Sequence, residues 1–215
     1  MNPNRPQVNT RRAYDGTRRL ERARRTHQGL LDAALDRFLE HGYAATTVES
    51  IARDAGVSAA TVFKSYGGKP GLVRALCDRA LEGAGPLPAE QRSDALKQSA
   101  SDPRSLIEGW GRLTVEVAPR VAPILLLLRD AAATDSLAAA LHDELDRNRL
   151  RRMTVNARHL VRAGYLRPGV GLAETRDVLW LYSSPELYDL LVRRRRWSVV
   201  RYGRFVADAM IAALL

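Results

Sequence analysis

The chain has 215 residues, 46% of them hydrophobic, with a net charge of +10 and one cysteine, Cys77. That is apolar content enough for a real core, and a lone cysteine excludes an intramolecular disulfide framework. The longest strongly apolar run, VAPILLLL at 121–128, is far short of the ~20 residues that a membrane span needs, and no apolar segment follows the basic start as in a secretion signal, so a cytoplasmic protein is expected.

The positive charge is concentrated at the start. Residues 1–25 hold eight arginines against Asp15 and Glu21, whereas residues 26–80 hold six basic and six acidic side chains. Residues 1–25 read as a basic, largely disordered arm, at least to about residue 18. Residues 26–80 read as a small helical domain and residues 81–215 as a larger one. In the small domain Leu31, Leu35 and Phe38 share one face of a helix over about 26–41, which Gly42 ends. Thr46-Thr47-Val48-Glu49 has the spacing of a capping box, opening a short helix over about 47–54. Gly56 is placed to end it, and Ser58 to cap a second helix over about 58–65. Ala52 and Ala55 let the two cross closely, and Val57 and Val62 fill the angle. This is a helix-turn-helix pattern. Its second helix leaves Ser58, Ala59, Thr61, Lys64 and Ser65 outward, a face without long apolar side chains that fits a major groove. The alternative is an ordinary α-hairpin that binds nothing.

Gly67-Gly68 makes a turn, and Pro70 opens a helix carrying Leu72, Val73, Leu76 and Leu81. Residues 83–101 read as a loose connection, though ALKQSA within it could form a helical turn or two. Pro103 restarts a helix to about Ala118, Pro119 and Pro123 break it, and a short apolar helix covers about 121–131. A long helix follows over about 135–163, closed by Gly164 and Pro168. The next helix starts near Ala173 and is kinked or restarted at Ser184-Pro185. Ser198 caps the last helix, whose seam is Val199, Tyr202, Val206, Ala209 and Ala213. No stretch alternates as a strand, so the fold class is all-α: an N-terminal helix-turn-helix domain and a larger helical C-terminal domain.

Catalytic patterns are missing. His27, His41, His142 and His159 have no zincin spacing, no Cys/His cluster exists, Gly67-Gly68-Lys69 lacks the rest of a phosphate loop, and there is no G-x-S-x-G. No enzyme, metal or cofactor is expected, and Cys77 reads as a small buried hydrophobe.

The stretch LDAALDRFLEHGYAATTVESIARDAGVSAATVFKSYGGKPGL resembles the tetracycline-repressor (TetR/AcrR) family of bacterial regulators. The later half resembles that family in length, helical layout and the closing LWLYSSPELYDLLV and RRWSVVRYGRFVADAM segments. The resemblance implies a homodimer that binds an inverted-repeat DNA operator, most often as a repressor, and releases it on binding a small, mostly apolar effector. It places Thr46 and Thr47 against phosphate, Ser58, Ala59 and Thr61 on base edges with Lys64 and Ser65 following, and Lys69 on phosphate. Phe63 stands where the family usually has tyrosine and Ala60 where it usually has glycine. Tyr66 either supplies a replacement hydroxyl or is a core aromatic. The arm, with Arg24 and Arg25 at its end, supplies the phosphate attraction that a neutral recognition unit lacks. The expected dimer surface comprises Leu187, Tyr188, Leu191, Tyr202, Val206, Ala209 and Met210, the alternative being that this seam packs within the monomer. The expected effector lining is Trp110, Leu113, Leu126, Met153, Asn156, Trp180 and Tyr182. A non-specific, nucleoid-associated DNA binder is the rival reading.

Overall fold

The computed structural model describes residues 10–83 and 87–215, with side chains from Gly16 onward except that of Thr17. Ten helices follow in order among the described residues: α1 (Thr10–Ala45), α2 (Val48–Asp54), α3 (Ala59–Tyr66), α4 (Lys69–Glu82), α5 (Ala89–Ser99), α6 (Pro103–Ala132), α7 (Ser136–Arg162), α8 (Leu172–Tyr182), α9 (Pro185–Tyr188, running into a π-turn over Asp189–Arg194) and α10 (Val199–Leu214). No strand occurs among them.

Several boundaries follow from local chemistry. Gly42, at φ 79°, breaks the path of α1 where the sequence expects its end. Ser184 caps α9 with Pro185 in its first turn, and Ser198 caps α10. Three expectations are corrected. The basic arm is expected to be disordered to about residue 18, but from Thr10 it is the first part of α1; residues 1–9 of that arm lie outside the described residues. No proline or glycine cluster separates Thr10 from Leu30, and arginine is a good helix former. Residues 89–99 form α5, a longer helix than the turn or two expected within the loose connection, with only Ala89 and Ser93 buried, too few for a readable stripe. Helix α6 continues through Pro119 and Pro123. Each proline removes one backbone bond, but Ala122, Ile124, Leu126 and Leu128 beside them are all buried, which outweighs the loss.

Two cores result. The first joins Leu31, Phe38, Ile51, Val62 and Leu72 to Ile124, Leu128 and Leu141, so the N-terminal unit is closed by α6 and α7. The second joins Ile107 and Trp110 of α6 to Leu160, Tyr202, Val206 and Leu214. Helices α6 and α10 meet at backbone contact: a Cβ at Gly111 would lie 2.8 Å from both Ala207 Cβ and Gly203 O. The bidentate Arg74–Glu144 pair, at 2.5 and 2.7 Å, ties α4 to α7.

Candidate nucleic-acid interface

The corner between α2 and α3 is built locally. Gly56 takes φ 66°, Val57 N–H donates to Ala52 O at 2.9 Å and Gly56 N–H to Arg53 O at 3.1 Å, the paired bonds of a Schellman end. Val62 and Ala52 are buried at the crossing. Ser58 Oγ accepts from Thr61 N–H at 3.2 Å and lies 2.9 Å from Thr61 Oγ1. From this fixed turn, Ser58, Thr61, Lys64 and Ser65 are exposed along one side of α3, with Ala59 half-buried. Phe63 is also outward, 51% exposed, and its ring edge passes close to Gly68.

The cap of α2 is one residue later than the spacing suggests. Thr47 Oγ1 accepts from Ser50 N–H at 3.1 Å and Ser50 Oγ accepts from Thr47 N–H at 3.3 Å. Thr46 is 1% exposed, and its hydroxyl donates to Gly42 O at 2.7 Å and Arg37 O at 3.1 Å. Its expected capping role is therefore corrected, and its hydroxyl is turned inward to these two carbonyls, away from a phosphate outside the helix. Lys69 is turned partly inward too. Its Nζ donates to Tyr43 O at 2.9 Å and lies 4.3 Å over the Tyr43 ring. Burial pushes the Tyr43 hydroxyl up to about 12.

Tyr66 is half-buried and satisfies neither expectation fully. Its hydroxyl lies 2.7 Å from His27 Nδ1, the rings stack at 5.3 Å, and burial raises its pKa. Sequence reasoning missed His27, because a contact between residues 27 and 66 leaves no periodic trace. It also missed Arg37, whose paired bonds to Asp54 at 2.5 and 3.0 Å tie α1 to α2. Arg37 holds the Asp54 carboxyl below the usual carboxylate range, chiefly through that hydrogen bond. Arg24 and Arg25 are exposed on α1, as are Arg18, Arg19 and Arg22.

The expected dimer seam and effector lining fall out differently. Tyr188, Tyr202, Val206 and Met210 are buried within one chain, because the α6–α10 contact takes the seam inward; Leu187, Leu191 and Ala209 are half-buried beside them. Near that seam Leu181, Leu190, Val200 and Phe205 are exposed, with Trp197 edge-on to Phe205 at 5.5 Å. The lining set differs in burial. Trp110, Leu126 and Asn156 are core, while Leu113 and Met153 are half-buried. Trp180 lies under Arg149, and Tyr182, half-buried against the second core, meets Phe205 edge-on at 6.4 Å. A cavity of about 350 Å³ lies elsewhere, among α1, α4 and α6. Among the described residues there is no group of histidine, cysteine and carboxylate side chains that could hold a metal ion, and no helix is long and apolar enough to cross a membrane.

Comparison with known proteins agrees with this geometry. The family described as bacterial regulatory proteins, tetR family, matches residues 30–76. YvkB of Bacillus subtilis, described as an uncharacterized HTH-type transcriptional regulator, is 38% identical over 74 residues, which are 34% of this chain and 39% of YvkB. The chain thus spans well under half of that relative. Among solved structures, NalD of Pseudomonas aeruginosa, the secondary repressor of the MexAB-OprM efflux pump, superposes with a TM-score of 0.71 at 20% identity, over 90% of this chain and 98% of NalD. The fatty acid degradation regulator FadR of Bacillus halodurans gives 0.68 at 16% identity, over 86% and 94%. At those identities the structures speak for the fold alone. Residues 30–76 thus match the tetR family of bacterial regulatory proteins in sequence, and the chain has the fold seen in NalD and FadR.

Proposed function

We propose that the chain is a cytoplasmic transcriptional regulator that binds an inverted-repeat DNA operator as a homodimer, represses from it, and leaves it when a small molecule binds. The observation that carries this reading is the exposed polar face of α3, mounted on a corner fixed by Gly56 and the Ser58 cap. In it, Ser58, Ala59 and Thr61 read base edges in the major groove, with Lys64 and Ser65 beside them. Thr47, Arg24 and Arg25 meet phosphate, and Lys69 meets it with the N–H groups that Tyr43 leaves free. Phe63 and Tyr66 frame the face; the Tyr66 hydroxyl is shared with His27. Repression is the sign carried by NalD, which has the same fold.

One recognition helix reads too few base pairs, so two copies are required. The exposed apolar side chains of Leu181, Leu190, Val200 and Phe205, on the last helices, supply the second copy's seat, in place of the buried seam. The basic first part of α1 supplies non-specific phosphate attraction. Deleting residues 1–20 then weakens all DNA binding and flattens its salt dependence; unchanged affinity and slope would remove the arm from the reading.

The deciding test is selection of bound DNA from a random pool at about 150 mM salt, where surface charge is partly screened. A recovered inverted repeat supports a dimeric, sequence-specific regulator. DNA with no shared sequence supports a non-specific nucleoid-associated binder and overturns the base contacts assigned to Ser58, Ala59 and Thr61.

A further inference from the structure

The cavity among α1, α4 and α6 has an apolar side made by Leu35, Leu76, Ala80 and Ile124, and a basic side made by Arg79, Gly83 and Arg120. Its volume, about 350 Å³, lies in the ~300–1,000 Å³ range of small-molecule sites. The basic side is crowded. Gly83 takes φ 69°, and a Cβ built there would stand 2.5 Å from Arg120 Nη1, 2.9 Å from Glu116 Oε1 and 3.2 Å from Arg92 Nη2. Three charged side chains therefore converge on bare backbone at the cavity rim.

Their partners do not balance. Glu116 serves two arginines: Oε1 accepts from Arg120 Nη1 at 3.2 Å, and Oε2 accepts from Arg92 Nη1. Arg79 Nη1 donates to Asp32 at 2.6 Å. Three guanidinium groups thus face two carboxylates. The surplus is seen on Arg92, whose Nε and Nη2 are buried with no hydrogen-bond partner among the described residues. Those two N–H groups form one edge of the planar fork, and such an edge takes both oxygens of a carboxylate. Buried donors are almost always satisfied, and the described residues supply no acceptor for this edge, which lies beside Gly83 on the cavity rim.

We infer that the cavity binds an amphiphile with one carboxylate head and an aliphatic body. The head docks on the Nε–Nη2 edge of Arg92 beside Arg120, and the body lies against Leu35, Leu76, Ala80 and Ile124. As the effector site, it rests on the ligand-responsive reading above. Helix α4 forms one wall and follows α3 directly across Gly67-Gly68, so an occupant that prefers one placement of α4 biases the recognition helix.

The test uses the full chain and three probes below their aggregation concentrations: decanoate, decanol and decyltrimethylammonium, each titrated by calorimetry. Decanoate is expected to bind about tenfold tighter than decanol, and the cation not measurably, as one lost charge-assisted contact implies. Arg92→Met keeps the stem and removes the fork, so it lowers decanoate affinity by about tenfold and leaves decanol unchanged. Leu35→Trp, at a half-buried position, fills the cavity and abolishes binding of both; thermal melts verify the fold, and Arg120→Gln replaces Arg92→Met if that variant does not fold. Equal binding of decanoate and decanol, or decanoate affinity untouched by both arginine variants, overturns the site. DNA release, followed by anisotropy on the selected operator, is read separately. Decanoate binding that leaves the DNA complex intact retains the site and overturns only its role as the effector site.

Discussion

At the α2–α3 corner, Gly56 takes φ 66° and a Cβ there would meet nothing within 4 Å. At the α6–α10 crossing, Gly203 has ordinary helical backbone, and a Cβ there would lie 2.2 Å from Val115 Cγ2 and 2.9 Å from Gly111 O. The first glycine is required by conformation, the second by space. The difference separates the two halves of the molecule. The N-terminal unit is shaped by local backbone chemistry in caps, a Schellman end and a left-handed turn, and its functional face is what those devices leave exposed. The C-terminal half is shaped by contacts between residues ninety or more apart in sequence, such as Gly111 with Gly203 and Ala207.

Gly203→Val probes the second kind and gives the largest effect. Overpacking against backbone is expected to lower the unfolding free energy by about 3 kcal/mol in urea titrations. Pairing it with Val115→Ala recovers part of that loss, since Val115 is the nearest obstacle, while Gly111 O keeps the rest. Full recovery would show that the crossing has slack. Gly56→Ala probes the first kind. With no clash, its loss is the left-handed backbone cost alone, about 1–2 kcal/mol, and Gly56→Asn loses less because asparagine tolerates that region. Equal losses for alanine and asparagine would show that conformation is not what Gly56 supplies.

The same contrast explains what could be read from the sequence. Ser58, Gly56, Ser184-Pro185 and Ser198 announce their roles within four residues, and the structure has each in that role. Thr46 and Thr47 were separable only by the third dimension: both precede a short helix, and the break at Gly42 decides which hydroxyl turns inward. The seam of α10 was visible as a period, but a period does not say what lies opposite. Gly111 and Gly203 are the residues that say so, and neither has a local signature. The lining set is hard to read for the same reason, since Trp110 and Tyr182 are both aromatic side chains on apolar helices, one buried in the second core and one half-buried at its margin. Arg92, Glu116 and Arg120 went unread because they converge from α5 and α6 onto Gly83.

A smaller loss is expected from Ser58→Ala. It removes the acceptor for Thr61 N–H and the contact with Thr61 Oγ1, and lowers stability by about 1 kcal/mol in thermal melts. Its effect on DNA affinity sharpens the reading of α3. A drop larger than the stability loss accounts for, concentrated on particular base pairs of the selected operator, supports Ser58 and Thr61 as readers. A uniform drop across all DNA leaves Ser58 as a cap alone.

The smallest effect belongs to a contact of neither kind. Helix α5 buries little, and it is held to α7 by charge: Asp94 accepts from Arg152 at 2.7 and 3.3 Å and pairs with Lys97 at 2.5 Å. The Arg152 hydrogen bond, with Lys97 in support, lowers the Asp94 carboxyl to about 2. A carboxyl that is more acidic folded than unfolded stabilises the fold above its unfolded pKa, and the contribution disappears as pH falls from about 4 towards 2. The Asp94 side chain is 46% exposed, so solvent screening keeps the contribution under about 1 kcal/mol. Asp94→Asn should therefore melt slightly lower than the parent at pH 7, with the gap closing as the pH approaches 2. A gap that persists at the lowest pH would mean that α5 is held by the shape of the contact, or by Arg152 on Glu90 O at 2.9 Å, and not by the charge on Asp94.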